Sequence, residues 1–140
     1  MRPAKPGDLF ASLSERLNEI CRLRVLVVED HLATSQALAK VLRHVGFSVN
    51  TALDGLDGLT LARSERFDVL VSDLELPRLS GYELMKLMRQ LYATPGIALT
   101  AYGSPEHLAK SREAGFSEHF EKPISVVKLV EAIQRVAQQS

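Results

Sequence analysis

The sequence predicts an α/β fold, a doubly wound five-stranded parallel sheet with helices on both faces. Three observations predict it. Short, wholly apolar runs such as Val25-Leu26-Val27-Val28 and Val69-Leu70-Val71 read as strands buried on both sides. Segments with apolar residues at helical spacing stand between such runs. The two kinds of segment alternate along the chain, the order in which parallel strands are joined through covering helices.

The elements follow in order. Met1 to Gly7 holds two prolines and a glycine and reads as an unstructured lead. Asp8 can cap an extra N-terminal helix running to about Arg22, with Leu9, Phe10, Leu13, Leu17 and Ile20 as its apolar stripe. Residues 1–23 are therefore set apart from a domain at residues 24–140. Val25 to Val28 is the first strand, and Ala37, Leu38, Val41, Leu42 and Val45 mark a helix that Gly46 stops. Ser48 to Ala52 is a weaker strand and Gly55 to Ser64 a short helix. Val69 to Val71 is the third strand. The next helix, Ser80 to Leu91, opens on the capping-box pattern Ser80-x-x-Glu83. Ile97-Ala98-Leu99 is the fourth strand, and Ser104-Pro105 starts the fourth helix. His119-Phe120 falls in a short fifth strand. Val126, Leu129, Val130, Ile133 and Val136 line a last helix capped by Ser125.

Composition narrows the function. The chain has 140 residues, enough for one domain with its own core, and is 46% hydrophobic and 24% charged. Seventeen basic and seventeen acidic residues cancel, so bulk charge makes no case for nucleic acid or an anionic membrane. Cys21 is the only cysteine, which excludes an internal disulfide and a Cys-rich zinc site. No apolar run approaches a membrane span or a signal core, and a cytoplasmic location is expected.

The polar residues at the strand ends carry the chemistry. In a doubly wound sheet, ligands bind beyond the carboxyl ends of the strands. Strand one ends in Glu29-Asp30, strand three in Asp73 and strand four in Thr100, while Lys122 closely follows strand five. Singly, each has an ordinary explanation as a cap, a turn residue or a β-former. Together they bring three carboxylates, a hydroxyl and an ammonium to one edge. Two carboxylates about 4 Å apart repel by ~4 kcal/mol at an effective dielectric near 20, so the group needs protons or a cation. Hard oxygen donors at an open site suit Mg²⁺. A carboxylate such as Asp73 can attack phosphorus, with Thr100 and Lys122 placed to hold phosphoryl oxygens. Neither a Gly-rich nucleotide loop nor a pocket for an organic substrate is expected.

At these residues the chain resembles the receiver domain of two-component response regulators. The motifs are Val-Val-Glu29-Asp30, Ser-Asp73-Leu-Glu-Leu-Pro77-Arg-Leu-Ser-Gly81, Leu-Thr100-Ala101 and Glu-Lys122-Pro123, and the likeness covers roughly Arg24 to Gln138. It implies a flavodoxin-like strand order, 2-1-3-4-5. It implies that Asp73 accepts a phosphoryl group from a histidine kinase or histidine phosphotransfer protein. Glu29, Asp30, Asp73 and the backbone carbonyl of Glu75 would hold Mg²⁺, and Thr100 and Lys122 would contact the phosphoryl group. A cis Lys122-Pro123 peptide is implied too. By the same resemblance, Glu75 and Tyr102 tune how long the phosphoryl group survives. The output is a changed surface on the fourth helix, fifth strand and fifth helix. With no DNA-binding segment expected beyond the domain, output is expected through a protein partner or another part of a longer chain; a dimer is a further option.

One position departs from the family pattern. Receivers usually carry Tyr or Phe three residues before the lysine, and here His119 stands there, with Phe120 expected to face the core. His119 either keeps the switch role, moving with Thr100, or is an ordinary strand residue. The phrases Gly96 to Gly103 and Ser111 to Phe116 look most like receivers fused to hybrid sensor kinases. An aspartyl-phosphate phosphatase is the enzymatic rival, since Asp73-x-Glu75 faintly resembles its acid pair, but the chain has no room for a substrate cap.

Overall fold

A computed structural model describes residues 23–138. The lead and the extra N-terminal helix expected before Leu23 lie outside the described residues. The described chain runs β1 (Arg24–Val28), α1 (Leu32–Val45), β2 (Ser48–Ala52), α2 (Gly55–Ser64), β3 (Val69–Asp73), α3 (Gly81–Tyr92), β4 (Gly96–Thr100), α4 (Pro105–Ala114), β5 (Phe116–Glu121) and α5 (Val126–Gln138). All strand pairs are parallel and the order is β2-β1-β3-β4-β5.

The apolar runs explain which strands are central. The side chains of β3 and β4 are buried throughout, as are those of β1 after Arg24, because helices cover both faces of the sheet. The outer strands β2 and β5 alternate or mix exposure, as edges do. One core layer joins Val25, Val27, Val71, Ile97 and Leu99 to Leu42 of α1 and Leu129 and Ile133 of α5. The other joins Leu26, Val28, Leu70 and Ala98 to Leu59 of α2 and Leu84, Met85 and Met88 of α3. Phe120 packs against the first layer, as expected.

Local chemistry ends the helices where the sequence indicates. Gly46 adopts φ 127°, and its N–H donates to the carbonyls of Leu42 and Arg43. The Ser80 hydroxyl accepts from the Glu83 N–H at 3.2 Å, and Ser104 caps α4 with Pro105 in the first turn. At α3 the Glu83 carboxylate accepts from the Ser80 hydroxyl at 3.1 Å rather than from a backbone N–H. Ser125 caps α5 through the Lys128 N–H at 3.4 Å. Several strands are longer than their apolar runs. β3 continues through Ser72 and Asp73, and β5 begins at Phe116 immediately after Gly115. Ser117 and Glu118 hid the start of β5, because an edge strand need not be apolar.

Candidate functional site

Three strand ends and one loop converge at the carboxyl edge of the sheet. Asp73 is the last residue of β3 and is buried. Glu29 follows β1 directly, is held by its N–H to the Ala52 carbonyl at 3.1 Å, and is 1% exposed. Asp30, next in the chain, is exposed. The carboxylates of Glu29, Asp30 and Asp73 offer oxygens that all lie within 4.8 Å of one another. Unit charges at such a separation repel by ~3 kcal/mol per pair at an effective dielectric near 20, so the trio calls for a compensating positive charge.

Lys122 supplies part of it. Its N–H donates to the Thr100 carbonyl at 2.8 Å, which fixes the backbone just past β5. From there its ammonium donates to Glu29 Oε1 at 2.9 Å and to Asp73 Oδ2 at 3.0 Å. The Lys122-Pro123 peptide is cis. One ammonium cannot satisfy the whole cluster. The second oxygen of Glu29, Oε2, is buried and has no hydrogen-bond partner. Burial is the chief reason the Glu29 carboxyl is pushed up to about 7, with the Asp73 carboxylate adding to it against the pull of Lys122. Burial alone would lower Lys122, but the Glu29 and Asp73 carboxylates outweigh it and hold the ammonium above its ordinary value. An orphaned carboxylate oxygen beside two further acids is a donor set that fits a hard divalent cation.

Thr100 ends β4 and is 2% exposed, at the same edge. Its hydroxyl is turned into its own loop. It donates to the Tyr102 carbonyl and accepts from the Tyr102 N–H, both at 2.9 Å. His119 stands apart from this edge. It is half-buried in the middle of β5 in register with Ala98, whereas Glu121 is the partner of Thr100. The structure thus brings Glu29, Asp30, Asp73 and Lys122 into one cluster, sets Thr100 beside it, and leaves His119 within the strand.

Two further sets of residues belong to the neighbourhood, and in them Tyr82, His107, Lys110, Asp54 and Arg78 were not given a role from the sequence. A cleft of about 780 Å³ opens beside Asp30 and is lined by Glu75, Tyr82, His107 and Lys110 among others. On its rim, His107 Nε2 lies 3.9 Å from Glu75 Oε1, and the His107 ring stacks on Tyr102 with centroids 5.9 Å apart. The pattern Ser104-Pro105-x-His107 could have flagged it, because it puts a histidine on the first turn of the helix that follows Thr100. The second set lies in the loop after Asp73. Arg78, at φ 70°, bonds Asp54 at the head of α2 with a 3.0 Å contact. The Asp57 N–H and Arg78 hold the Asp54 carboxyl below its usual range.

Comparison with known proteins gives this geometry a family. The model for the response regulator receiver domain matches residues 25–134. The probable transcriptional regulatory protein SilR of Salmonella typhimurium is 32% identical over 113 residues, 80% of this chain and 50% of that protein. The sensor histidine kinase RcsC of Escherichia coli is 30% identical over 127 residues, 90% of this chain and 13% of the kinase. The chain therefore spans half or less of these relatives. Among solved structures, the Vibrio cholerae chemotaxis protein CheY4 superposes with a TM-score of 0.77 at 33% identity, covering 81% of this chain and 98% of that one. The receiver domain of a Pseudomonas aeruginosa sensor histidine kinase, with magnesium coordinated in its active-site cleft, gives a TM-score of 0.76 at 28% identity, covering 83% and 98%. A match that begins in the first strand and ends in the last helix spans the whole sheet, and the chain belongs to the family of response regulator receiver domains.

Proposed function

We propose that this domain is a phosphorylation switch in a phosphorelay, with Asp73 as phosphoacceptor. The carrying observation is the strand-end cluster, in which a buried carboxylate on β3 lies within 4.8 Å of two more acids and accepts a hydrogen bond from the Lys122 ammonium. In this reading an Asp73 oxygen attacks the phosphorus of a phosphohistidine on a histidine kinase or phosphotransfer protein, and the histidine nitrogen leaves. Glu29, Asp30, Asp73 and the Glu75 carbonyl hold Mg²⁺, which when bound offsets the charge on the phosphoryl oxygens. The orphaned Glu29 oxygen supports this donor set. Lys122 already touches Asp73 and keeps a cation beside the new dianion. Thr100 would trade its bonds to Tyr102 for one to a phosphoryl oxygen.

The surface carrying the output is then α4, β5 and α5, which follow the Thr100 loop and Lys122. His119 is a switch residue here only if its ring moves with Thr100. The 30% identity with RcsC over 127 residues favours a second setting, the receiver segment of a larger hybrid kinase, in which the same chemistry serves a different protein.

The test is incubation with a small acyl-phosphate donor, with and without Mg²⁺, read by intact mass. The wild-type chain should gain one phosphoryl group in the presence of metal, and Asp73→Asn should gain none. Equal labelling of the variant would remove Asp73 from the mechanism.

A further inference from the structure

Two stretches of backbone flank the acid cluster, the corner from β2 into α2 and the loop after β3. The corner is tied to the cluster, because the Ala52 carbonyl accepts from the Glu29 N–H at 3.1 Å, and Asp54 follows soon after as the cap of α2. The loop is fixed at its start. There the Leu74 N–H donates to the Leu99 carbonyl at 3.0 Å, and the Leu74 carbonyl accepts from the Gly81 N–H at 2.9 Å. Its next peptide groups are untethered: among the described residues, none hydrogen-bonds the backbone N–H or C=O of Glu75 or Leu76. The loop is caught again at residues 77–79, against the head of α2. The Gly55 N–H reaches the Pro77 carbonyl only at 3.5 Å, and a Cβ on Gly55 would stand 2.0 Å from the Leu79 carbonyl oxygen. The firm bond is made by Arg78, whose Nη1 donates to Asp54 Oδ2 at 3.0 Å and lies 3.9 Å from Asp57 Oδ1. Capping does not explain this side chain, since Asp54 caps α2 through Oδ1, which accepts from the Asp57 N–H at 2.8 Å. Turn geometry does not explain it either, because Arg78 sits at φ 70°, where glycine is the favoured residue.

We propose that Arg78 is a positioning residue for the metal site: by gripping Asp54, its guanidinium holds the loop after β3 where the Glu75 carbonyl joins Glu29, Asp30 and Asp73 around a divalent cation. The inference rests on the proposed function and deepens its metal site. Arg78 touches neither the cation nor the phosphoryl group. It closes a circuit of contacts that runs from Asp73 along the loop to Arg78, across to Asp54, and back through Ala52 to Glu29. The two backbones that bear the ligands thereby keep one spacing, as outer residues around a metal do for the ligands they orient. Only one partner is well exposed, the side chains of Arg78 and Asp54 being 57% and 12% accessible.

Charge and position predict opposite signs. By charge alone, removing a cation near three carboxylates would tighten Mg²⁺ binding; loss of a positioning contact weakens it. The experiment is urea unfolding followed from EDTA through rising Mg²⁺ concentrations. The metal-free midpoint reads stability, and its dependence on Mg²⁺ gives the dissociation constant. Arg78→Ala and Arg78→Gly should each raise that constant about two- to fivefold, the range open to an ion pair with one exposed partner. The glycine variant should do so with a metal-free midpoint near wild type, because relief at φ 70° offsets the lost contact. Arg78→Lys keeps a cation in reach of Asp54 and should bind Mg²⁺ nearly as wild type does. Asp54→Asn retains a good capping residue; it should weaken Mg²⁺ binding in the wild-type background and add little to Arg78→Ala. An unchanged or lower constant in both the alanine and glycine variants would overturn the proposal. So would equal weakening by Asp54→Asn in the two backgrounds. If Mg²⁺ leaves the wild-type midpoint unmoved, the metal site of the proposed function falls and this inference with it; if wild type is stabilised and the variants follow it, only this inference falls.

Discussion

Without metal, the domain should lose stability as pH rises through neutrality, and Glu29 should be the cause. Its carboxyl is moved from an ordinary 4.5 to about 7, chiefly by burial. A raised carboxyl in the folded state retains a proton that the unfolded chain gives up. Its contribution is therefore fully present below pH 4.5 and is lost as pH climbs through about 7. Moving the carboxyl from 4.5 to about 7, at ~1.4 kcal/mol per pH unit, sets the loss at no more than ~3.5 kcal/mol. Urea denaturation in EDTA from pH 5 to 8 measures it. Glu29→Gln keeps the shape and removes the titration, so the difference between wild type and variant isolates this group from the histidines. At pH 8 the variant should be the more stable in EDTA. Added Mg²⁺ should stabilise wild type and do little for the variant; at ten times the dissociation constant the gain is about 1.4 kcal/mol. Parallel pH profiles for the two proteins between 5 and 8 would refute the reasoning.

Three other predictions concern the frame. Ile97→Ala truncates a side chain with no exposed surface in β4 and should cost about 2–5 kcal/mol, read as a lower urea midpoint at unchanged slope. Gly81→Ala would set a Cβ 2.1 Å from the Asp73 carbonyl oxygen and 2.9 Å from the Leu74 Cα, so the loop after β3 must shift; a loss of about 1–3 kcal/mol and slower labelling by the acyl-phosphate donor are expected. Ala93→Gly should stabilise by up to about 1 kcal/mol in thermal unfolding, because Ala93 ends α3 in the left-handed region at φ 55°.

The sheet was legible because its central strands have no polar compromise. Val25 to Val28 and Ile97 to Leu99 are buried on both faces, and only such a run survives there. Ser80, Ser104 and Ser125 were legible as caps because a hydroxyl at that position answers a local need. The edge strand β5 was only partly legible, since Phe116-Ser117-Glu118 serves one packed residue and two that meet solvent or Arg135. At the site, the four charged residues could be placed from strand ends alone, because a parallel sheet aligns those ends. The direction of the Thr100 hydroxyl could not, as it depends on the turn through Ala101 to Tyr102. The meeting of His107 with Glu75 was equally hidden, because it joins the first turn of α4 to the loop after β3, and the chain order does not set their spacing.

On the proposed function, the contacts at rest favour Thr100 over Lys122 as the residue that discriminates between the two states. Lys122 bonds Asp73 as a carboxylate and would keep a partner there after phosphorylation, so its contact differs little between the states. Only differential contacts shift a population. Thr100 is different, since both functions of its hydroxyl are taken by the Tyr102 backbone. Reaching a phosphoryl oxygen requires giving up those bonds, each worth about 1 kcal/mol net. That is a barrier of about 1–2 kcal/mol against switching in the absence of phosphate, or roughly 5- to 30-fold in population. It is also the mechanical link, because the bonds that Thr100 gives up are to the backbone of the loop that carries Tyr102 onto His107. The same exchange that would report phosphorylation to α4 would therefore disturb the stacking of Tyr102 on His107 at the first turn of that helix.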